Sequence, residues 1–310
     1  MNADFKVLPF GLGECIQCFE ELWPDDKQEK CIPKIIDFLS FENSFGILLT
    51  ALSVTTSILT LSILSIFVKF QNTPVVKANN RSLSYLLLVC LTLCFLTSLL
   101  FIGLPTKSIC LLRQIAFGVI FAVCVSCILA KTVVVFIAFN AKRPTSKLRK
   151  YVGSRWLPIS IVFFGFLFQL IICTVWLSTA TPYAQKNMES EAGKIVYECN
   201  EGSVVMFYLM LGYLGLLASV CFVLAFLARN LPDTFNEAKY ITFSMLVFIS
   251  VWLSFIPAYL STKGKYMAAV EIFAILVSSA GLLICIFIPK CCTVLLTPAI
   301  NTKRKLTMRQ

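Results

Sequence analysis

The chain has 310 residues, of which 58% are hydrophobic and only 14% are charged, whereas a soluble domain has about 25% charged residues. It contains no histidine, which excludes imidazole metal sites and histidine-dependent catalytic triads; we predict no enzyme activity, cofactor or metal site. The net charge of +11 comes from basic residues in short loops beside apolar runs, so the positive-inside rule explains it and nucleic acid is not an expected partner.

Seven apolar segments reach the roughly 20 residues that a membrane-spanning helix needs. In chain order they cover residues 45–67, 83–104, 108–139, 157–180, 204–228, 240–260 and 266–296. The third and the seventh are longer than a bilayer requires, so their excess is expected in the cytosol or along the interface. The predicted fold is an all-α seven-transmembrane helix bundle (44–296). It lies between a short extracellular, disulfide-bonded stub (1–43) and a cytoplasmic tail (297–310).

The distribution of charge predicts the orientation of the bundle. The connection between the third and fourth segments has six basic residues and no acid, whereas residues 1–43 contain nine acids against four lysines. The N-terminus is therefore expected outside and the C-terminus inside a plasma membrane. The sequon at Asn80 would then face the cytosol and stay unglycosylated. Residues 1–13 show no cleavable signal peptide, so either the first span directs insertion or the chain is a fragment of a longer protein.

Five cysteines lie on the predicted oxidising side of the membrane. Cys110 begins the third span and Cys199 lies in the second outer loop, so this pair can staple the loop to the bundle. Cys15, Cys18 and Cys31 form a C-x2-C-x12-C pattern without a histidine, which is fewer than the four ligands of a structural zinc site. We interpret them as the end of a disulfide-rich module.

Several long motifs carry a family resemblance. The signatures D-R-Y and N-P-x-x-Y of rhodopsin-like receptors are absent from the third and seventh spans. The chain instead resembles class C G-protein-coupled receptors, above all vomeronasal type-2 receptors, which are relatives of the calcium-sensing receptor. The resemblance extends from about Cys15 to Lys303 and rests on KFQNTPVVKANNRSLSYLLL (69–88), CLLRQIAFG (110–118), ARNLPDTFNEAKYITFSMLVF (228–248), STKGKYMAAVEIFAILVSSAGLL (261–283) and IPKCC (288–292).

The resemblance implies partners that composition does not show. Such receptors bind pheromone peptides or amino acids through an extracellular domain that this sequence lacks. They act as homodimers or heterodimers with another class C receptor and activate a heterotrimeric G protein. The family pattern also implies that Cys18 pairs with Cys31, and that Cys15 pairs with a cysteine upstream.

Lys131 is the one charged residue in the apolar stretch SCILAKTVVVFIAF (126–139) of the third span. It lies 21 residues after Cys110, about 32 Å along a helix, which places it near the inner membrane boundary. Its ammonium group can snorkel to the headgroups, or it can pair with Glu237, which also completes a capping-box pattern with Thr234. In the family that the chain resembles, the matching lysine and glutamate form an inner ionic contact that holds spans 3 and 6 together at rest.

Arg113 lies one turn inside the third span and is either an interfacial cation or a functional side chain. The resemblance implies an outer salt bridge between Arg113 and Glu201, which the bond between Cys110 and Cys199 would bring close together.

Aromatic residues in the outer half of the sixth span have the spacing of ordinary core packing: Trp252, Phe255 and Tyr259. Glu271 in the seventh span is an intramembrane acid and therefore a candidate functional residue. The resemblance implies that these four residues belong to a transmembrane allosteric pocket.

The loop 140–156 is strongly basic, which both the membrane orientation and attraction to anionic lipid explain. A second interpretation is a G-protein contact shared with residues 229–239. The candidate contact residues are Lys142, Arg143, Lys147, Arg149, Asn236 and Lys239.

Two other functions compete with a signalling receptor. A secondary transporter would show inverted repeats and helices broken near the midplane, and the sequence shows no repeat. A truncated or non-signalling subunit that only dimerises or assists trafficking would have the same seven spans, so the sequence separates it poorly.

Overall fold

The computed structural model describes residues 6–7, 16–25, 27, 30–73, 76–77, 80–140, 154–188, 192–229 and 237–296. Within these residues, seven helices are long and apolar enough to cross a membrane, which confirms the predicted fold. They are α1 (Ser44–Lys69), α2 (Arg81–Thr97), α3 (Lys107–Asn140), α4 (Trp156–Thr179), α5 (Val204–Ala228), α6 (Glu237–Ser261) and α7 (Lys265–Leu296). A 3-10 turn, Ser98–Phe101, continues α2.

The helices α2, α3 and α7 form the centre of the bundle. Each buries more than half of its most apolar window, whereas α1, α4, α5 and α6 bury less than a third and leave the rest to face lipid. Glycine, which has no side chain, allows two helices to approach each other closely. A Cβ on Gly165 of α4 would lie 2.9 Å from Cβ of Ser126 on α3, so glycine lets these two helices pack tightly.

Short strands lie in the N-terminal segment and in the loop between α4 and α5. The strands are β1 (Lys6–Val7), β2 (Ile16–Gln17), β3 (Leu22–Pro24), β4 (Cys31–Pro33), β5 (Ile35–Asp37), β6 (Tyr183–Asn187) and β7 (Lys194–Asn200). β1 pairs with β2 and β3 with β4, in both cases antiparallel. The third sheet has the order β5-β7-β6, with β5 parallel and β6 antiparallel to β7.

The third sheet joins the N-terminal segment to the loop between α4 and α5. Ile35 pairs with Lys194, and Ala184 pairs with Cys199 across the hairpin. A disulfide connects Cys199 to Cys110 near the start of α3. We call this end of the bundle the disulfide end, and the other the opposite end. Sequence reasoning predicted the disulfide-bonded loop but not its strands.

Candidate functional site

A buried ionic contact lies at the opposite end of the bundle, where α2, α3, α6 and α7 meet. Oε1 of Glu237 accepts a hydrogen bond from Nζ of Lys290 at 2.7 Å and lies 3.5 Å from Nζ of Lys131. Nζ of Lys131 also donates to Oγ of Ser84 at 2.8 Å. We call these four residues the lysine–glutamate cluster.

The charges of this cluster are shielded from solvent. Lys131 is 3% exposed, Lys290 is 4% exposed and Glu237 is 7% exposed. Burying a charge is costly unless it is paired, so the carboxylate and the two ammonium groups depend on one another. The structure places the ammonium of Lys131 among protein groups, as the ion-pair interpretation requires, and not at the surface. Thr234, the other half of the capping box, lies outside the described residues.

Lys290 is a member of the cluster that sequence reasoning missed. It falls within the predicted seventh span (266–296), but no functional role is predicted for it from the sequence. In the structure it lies within α7, directly after Pro289, and the helix continues to Leu296. A usable signal was present, because apolar residues lie on both sides of the motif IPKCC and place its lysine inside a helix.

Two disulfides join described residues at the disulfide end. One joins Cys110 to Cys199, and the other joins Cys18 to Cys31. The first closes a separation of 89 residues and fixes β7 against α3. Cys15 lies outside the described residues.

The predicted salt bridge between Arg113 and Glu201 is corrected by the structure. Nη2 of Arg113 instead lies 3.8 Å from Oε2 of Glu271 on α7, and its guanidinium lies 4.9 Å from the ring centre of Phe101. The carboxylate of Glu201 accepts a hydrogen bond from the hydroxyl of Tyr259 on α6. The physical reason is position: Glu201 precedes α5 and reaches α6, whereas the side chain of Arg113 extends from α3 to Glu271 on α7.

The aromatic residues of α6 contact α3. The ring of Trp252 lies 5.3 Å from Phe117, 5.8 Å from Phe121 and 5.2 Å from Phe255, centre to centre. Phe255 in turn lies 5.2 Å from the ring of Tyr259. Of the four predicted pocket residues, Trp252, Phe255 and Glu271 line one cavity and form one layer of the bundle. Tyr259 packs on Phe255 beside this layer, and Arg113 pairs with Glu271.

The space between these residues is small. A cavity of about 10 Å³ is lined by Phe101, Gln114, Phe117, Phe207, Leu211, Trp252, Phe255, Glu271 and Ile275. That volume is about the size of one water molecule. Two buried donors that line it, Nε2 of Gln114 and Nε1 of Trp252, have no hydrogen-bond partner among the described residues. Oε2 of Glu271 accepts no hydrogen bond from them and, within the described part of the chain, has only its ion pair with Arg113. A polar group that entered the layer would find both donors and an acceptor.

The N-terminal segment contacts α7 directly. Oδ1 of Asp37, the last residue of β5, accepts a hydrogen bond from Nζ of Lys265 at 3.0 Å. Its other carboxylate oxygen lies 3.7 Å from Nζ of Lys194 on β7. Asp37 therefore ties the N-terminal segment to the first residue of α7.

The predicted G-protein contact falls mainly outside the described residues, which exclude Lys142, Arg143, Lys147, Arg149 and Asn236. Lys239 is described, and it is exposed in the first turn of α6, two residues from Glu237. No group of three or more metal-ligating side chains occurs in the described part of the chain.

Seven membrane-length helices with buried ionic contacts at both ends define a seven-transmembrane bundle protein. Residues 39–290 match the family described as "7 transmembrane sweet-taste receptor of 3 GCPR". The chain belongs to this family, the class C G-protein-coupled receptors, and is therefore a multi-pass membrane protein of a receptor family rather than an enzyme family.

Named relatives refine the comparison. The chain is 52% identical to vomeronasal type-2 receptor 26 of Mus musculus, over 95% of this chain and 34% of that protein. It is 50% identical to the extracellular calcium-sensing receptor of Homo sapiens, over 93% of this chain and 28% of that protein. It is 40% identical to the human G-protein coupled receptor family C group 6 member A, over 94% of this chain and 31% of that protein. The chain spans about a third of the length of these relatives.

Proposed function

We propose that the chain is the transmembrane signalling domain of a chemosensory class C receptor, which couples extracellular ligand binding to a heterotrimeric G protein. It acts as a homodimer or as a heterodimer with another class C receptor. The ligand, a pheromone peptide or an amino acid, binds a domain outside this sequence. The 52% identity to a vomeronasal type-2 receptor supports the chemosensory assignment.

The main support for this proposal is that α7 forms an ionic contact at each end of the bundle. At the disulfide end, Lys265 binds Asp37 of the N-terminal segment, and at the opposite end Lys290 binds Glu237 of α6. The two lysines are 25 residues apart, which is about 37 Å along a helix. A displacement of the N-terminal segment can therefore reach the far ionic contact through one continuous helix.

The lysine–glutamate cluster is proposed to stabilise the resting conformation. It fastens α3 and α7 to the first turn of α6, and Lys239 on the same turn belongs to the proposed G-protein contact. Outward movement of α6 would have to separate Glu237 from both lysines. A contact that exists in only one conformation biases the equilibrium by its own free energy.

The layer around Trp252 is proposed as a site for allosteric ligands. Its small volume means that a modulator must displace Trp252 or Phe255 as it enters. The polar atoms that lack a hydrogen bond favour a ligand with both donor and acceptor groups.

The membrane orientation is proposed from charge, with the disulfide end outside. Disulfides form in oxidising compartments, and the two in the structure lie at the end that this orientation places there. Asn80 is accordingly expected to carry no glycan when the chain is made in mammalian cells, as checked by glycosidase treatment and mass spectrometry. A glycan on Asn80 would contradict this orientation and place the opposite end of the bundle outside.

The decisive experiment measures basal G-protein activation by this chain in membranes, for the wild type and for Lys131→Ala at matched surface expression. We expect higher activity in the variant, and Lys69→Ala, an exposed lysine at the end of α1, serves as the control. If neither the wild type nor Lys131→Ala nor Glu237→Gln activates any G protein, the result favours a truncated or non-signalling dimer partner.

A further inference from the structure

A groove opens between the starts of α2 and α4 and the last turns of α3, at the opposite end of the bundle. Its volume is about 630 Å³, far larger than the cavity of about 10 Å³ between Trp252 and Glu271. The cationic side chains of Lys77, Arg81 and Arg155 line it, and all three are exposed. We call it the basic groove.

The charge of the basic groove is not neutralised within the described protein. No acid is among the described residues that line it, and none of its three cations forms an ion pair with a described acid. The structure therefore presents three positive charges to whatever occupies the groove.

Two helix starts add to this field. α2 and α4 begin at the groove, and neither has an acid in its first turn or a side chain that caps it. Each start contributes about half a positive charge together with unbonded N–H groups. The C-terminal end of α3 contributes an opposing partial charge of about half a unit, which the three full cations outweigh.

The inner wall of the groove is apolar. Leu83, Ile137 and Pro158 are buried in it, and Val134 is half-buried. Trp156, next to Arg155, is 78% exposed, as is typical of tryptophan at the headgroup level of a membrane. The groove thus combines a cationic rim with an apolar wall, and the exposed tryptophan beside it suits a position near lipid headgroups.

We propose that the basic groove binds one anionic phospholipid. Its phosphate lies among Lys77, Arg81 and Arg155, and the first carbons of its acyl chains lie along Val134 and Ile137. A soluble phosphate would leave the apolar wall uncovered, and an acidic peptide would have to enter at headgroup depth. The proposed orientation places the groove at the cytoplasmic leaflet, which is rich in anionic lipid. This site goes beyond the proposed signalling role, and its test requires no signalling.

The experiment uses the whole chain in nanodiscs with equal amounts of phosphatidylcholine and phosphatidylserine that have the same acyl chains. After transfer to mild detergent, native mass spectrometry counts the phospholipid that each protein retains. We expect the wild type to retain phosphatidylserine preferentially. The triple variant Lys77→Gln, Arg81→Gln, Arg155→Gln should lose this preference, because each cation near an anionic headgroup contributes roughly fivefold in affinity.

A matched triple variant removes the same charge from the same end of the bundle but outside the groove: Lys69→Gln, Arg229→Gln, Lys239→Gln. It should keep the preference of the wild type. Size-exclusion chromatography and circular dichroism check that both triple variants fold. If the groove variant does not fold, the three single substitutions replace it, each with an expected loss of roughly fivefold.

Three results would overturn the proposal. Equal retention of both lipids by the wild type would mean that the groove does not select charge. An equal loss of the preference in both triple variants would reduce the effect to general attraction of a basic surface. Displacement of the lipid by soluble glycerophosphoserine or an acidic peptide at equal concentration would mean that the apolar wall contributes nothing.

Discussion

Replacing Lys290 by methionine is expected to raise basal signalling more than the same replacement of Lys131. Both ammonium groups face Oε1 of Glu237, Lys290 at 2.7 Å and Lys131 at 3.5 Å. At an effective dielectric constant of about 20, these distances correspond to attractions of about 6 and about 5 kcal/mol before desolvation is subtracted. Breaking a buried pair typically costs about 3–5 kcal/mol.

Lys290→Met should fall at the low end of that range, because Glu237 keeps Lys131 as a partner. If the contact exists only in the resting conformation, a loss of about 3 kcal/mol shifts the equilibrium toward the active conformation by roughly 100-fold. Glu237→Gln should raise basal activity further, since it leaves two lysines side by side without a carboxylate.

The assay is nucleotide exchange on the G protein in membranes, with all variants at matched surface expression. Lys290→Arg preserves the charge and should stay close to the wild type. The reasoning is refuted if Lys290→Met leaves basal exchange unchanged while Lys131→Met raises it. A double-mutant cycle of Lys290→Met with Glu237→Gln, measured by thermal unfolding in detergent, tests the contact without a signalling assay. Additive losses would mean that the two residues do not interact.

Two further predictions address packing and the disulfide end. Reversing both charges, with Arg113→Glu and Glu271→Arg, should restore the surface expression that either reversal alone lowers; restoration by Glu201→Arg instead would support the originally predicted partner. Gly165→Ala should destabilise the bundle by about 1–3 kcal/mol, because the new Cβ would meet α3. Gly212→Ala, whose Cβ has no atom within 4 Å, should cost nothing in thermal unfolding, and equal losses would refute the packing argument.

The membrane spans were predictable because a bilayer imposes a minimum length on every apolar segment. The sixth span was predicted to begin at residue 240, and α6 begins at Glu237. Depth alone could also place Lys131 near the level of Glu237, since both lie near the same end of their helices. The resemblance then named the pair, and the structure brings the two side chains within 3.5 Å.

The partners of Lys290 and Arg113 were harder to predict. The depth of a residue in the membrane limits its possible partners to side chains at the same level, but several helices contribute side chains at each level. Glu201 and Glu271 both lie near the depth of Arg113, and only the three-dimensional structure shows that the Arg113 side chain reaches Glu271. The pairing of β5 with β7 likewise joins segments more than 150 residues apart, for which no local pattern exists.

The sequence does not show how each helix is rotated about its own axis, that is, which face it turns toward the other helices. Small polar residues indicate part of this rotation. In a soluble helix, apolar periodicity marks the buried face, but lipid is as apolar as the protein interior and removes that contrast. In α1 the buried positions include Gly46, Ser53, Ser57 and Thr60, at intervals of three, four or seven residues along one face. Ser53 reaches Ser98 at the end of α2, Oγ to Oγ, at 2.6 Å. Small and hydroxyl residues are therefore the pattern that predicts which face of a spanning helix meets its neighbours, and Ser84 beside Lys131 follows the same rule.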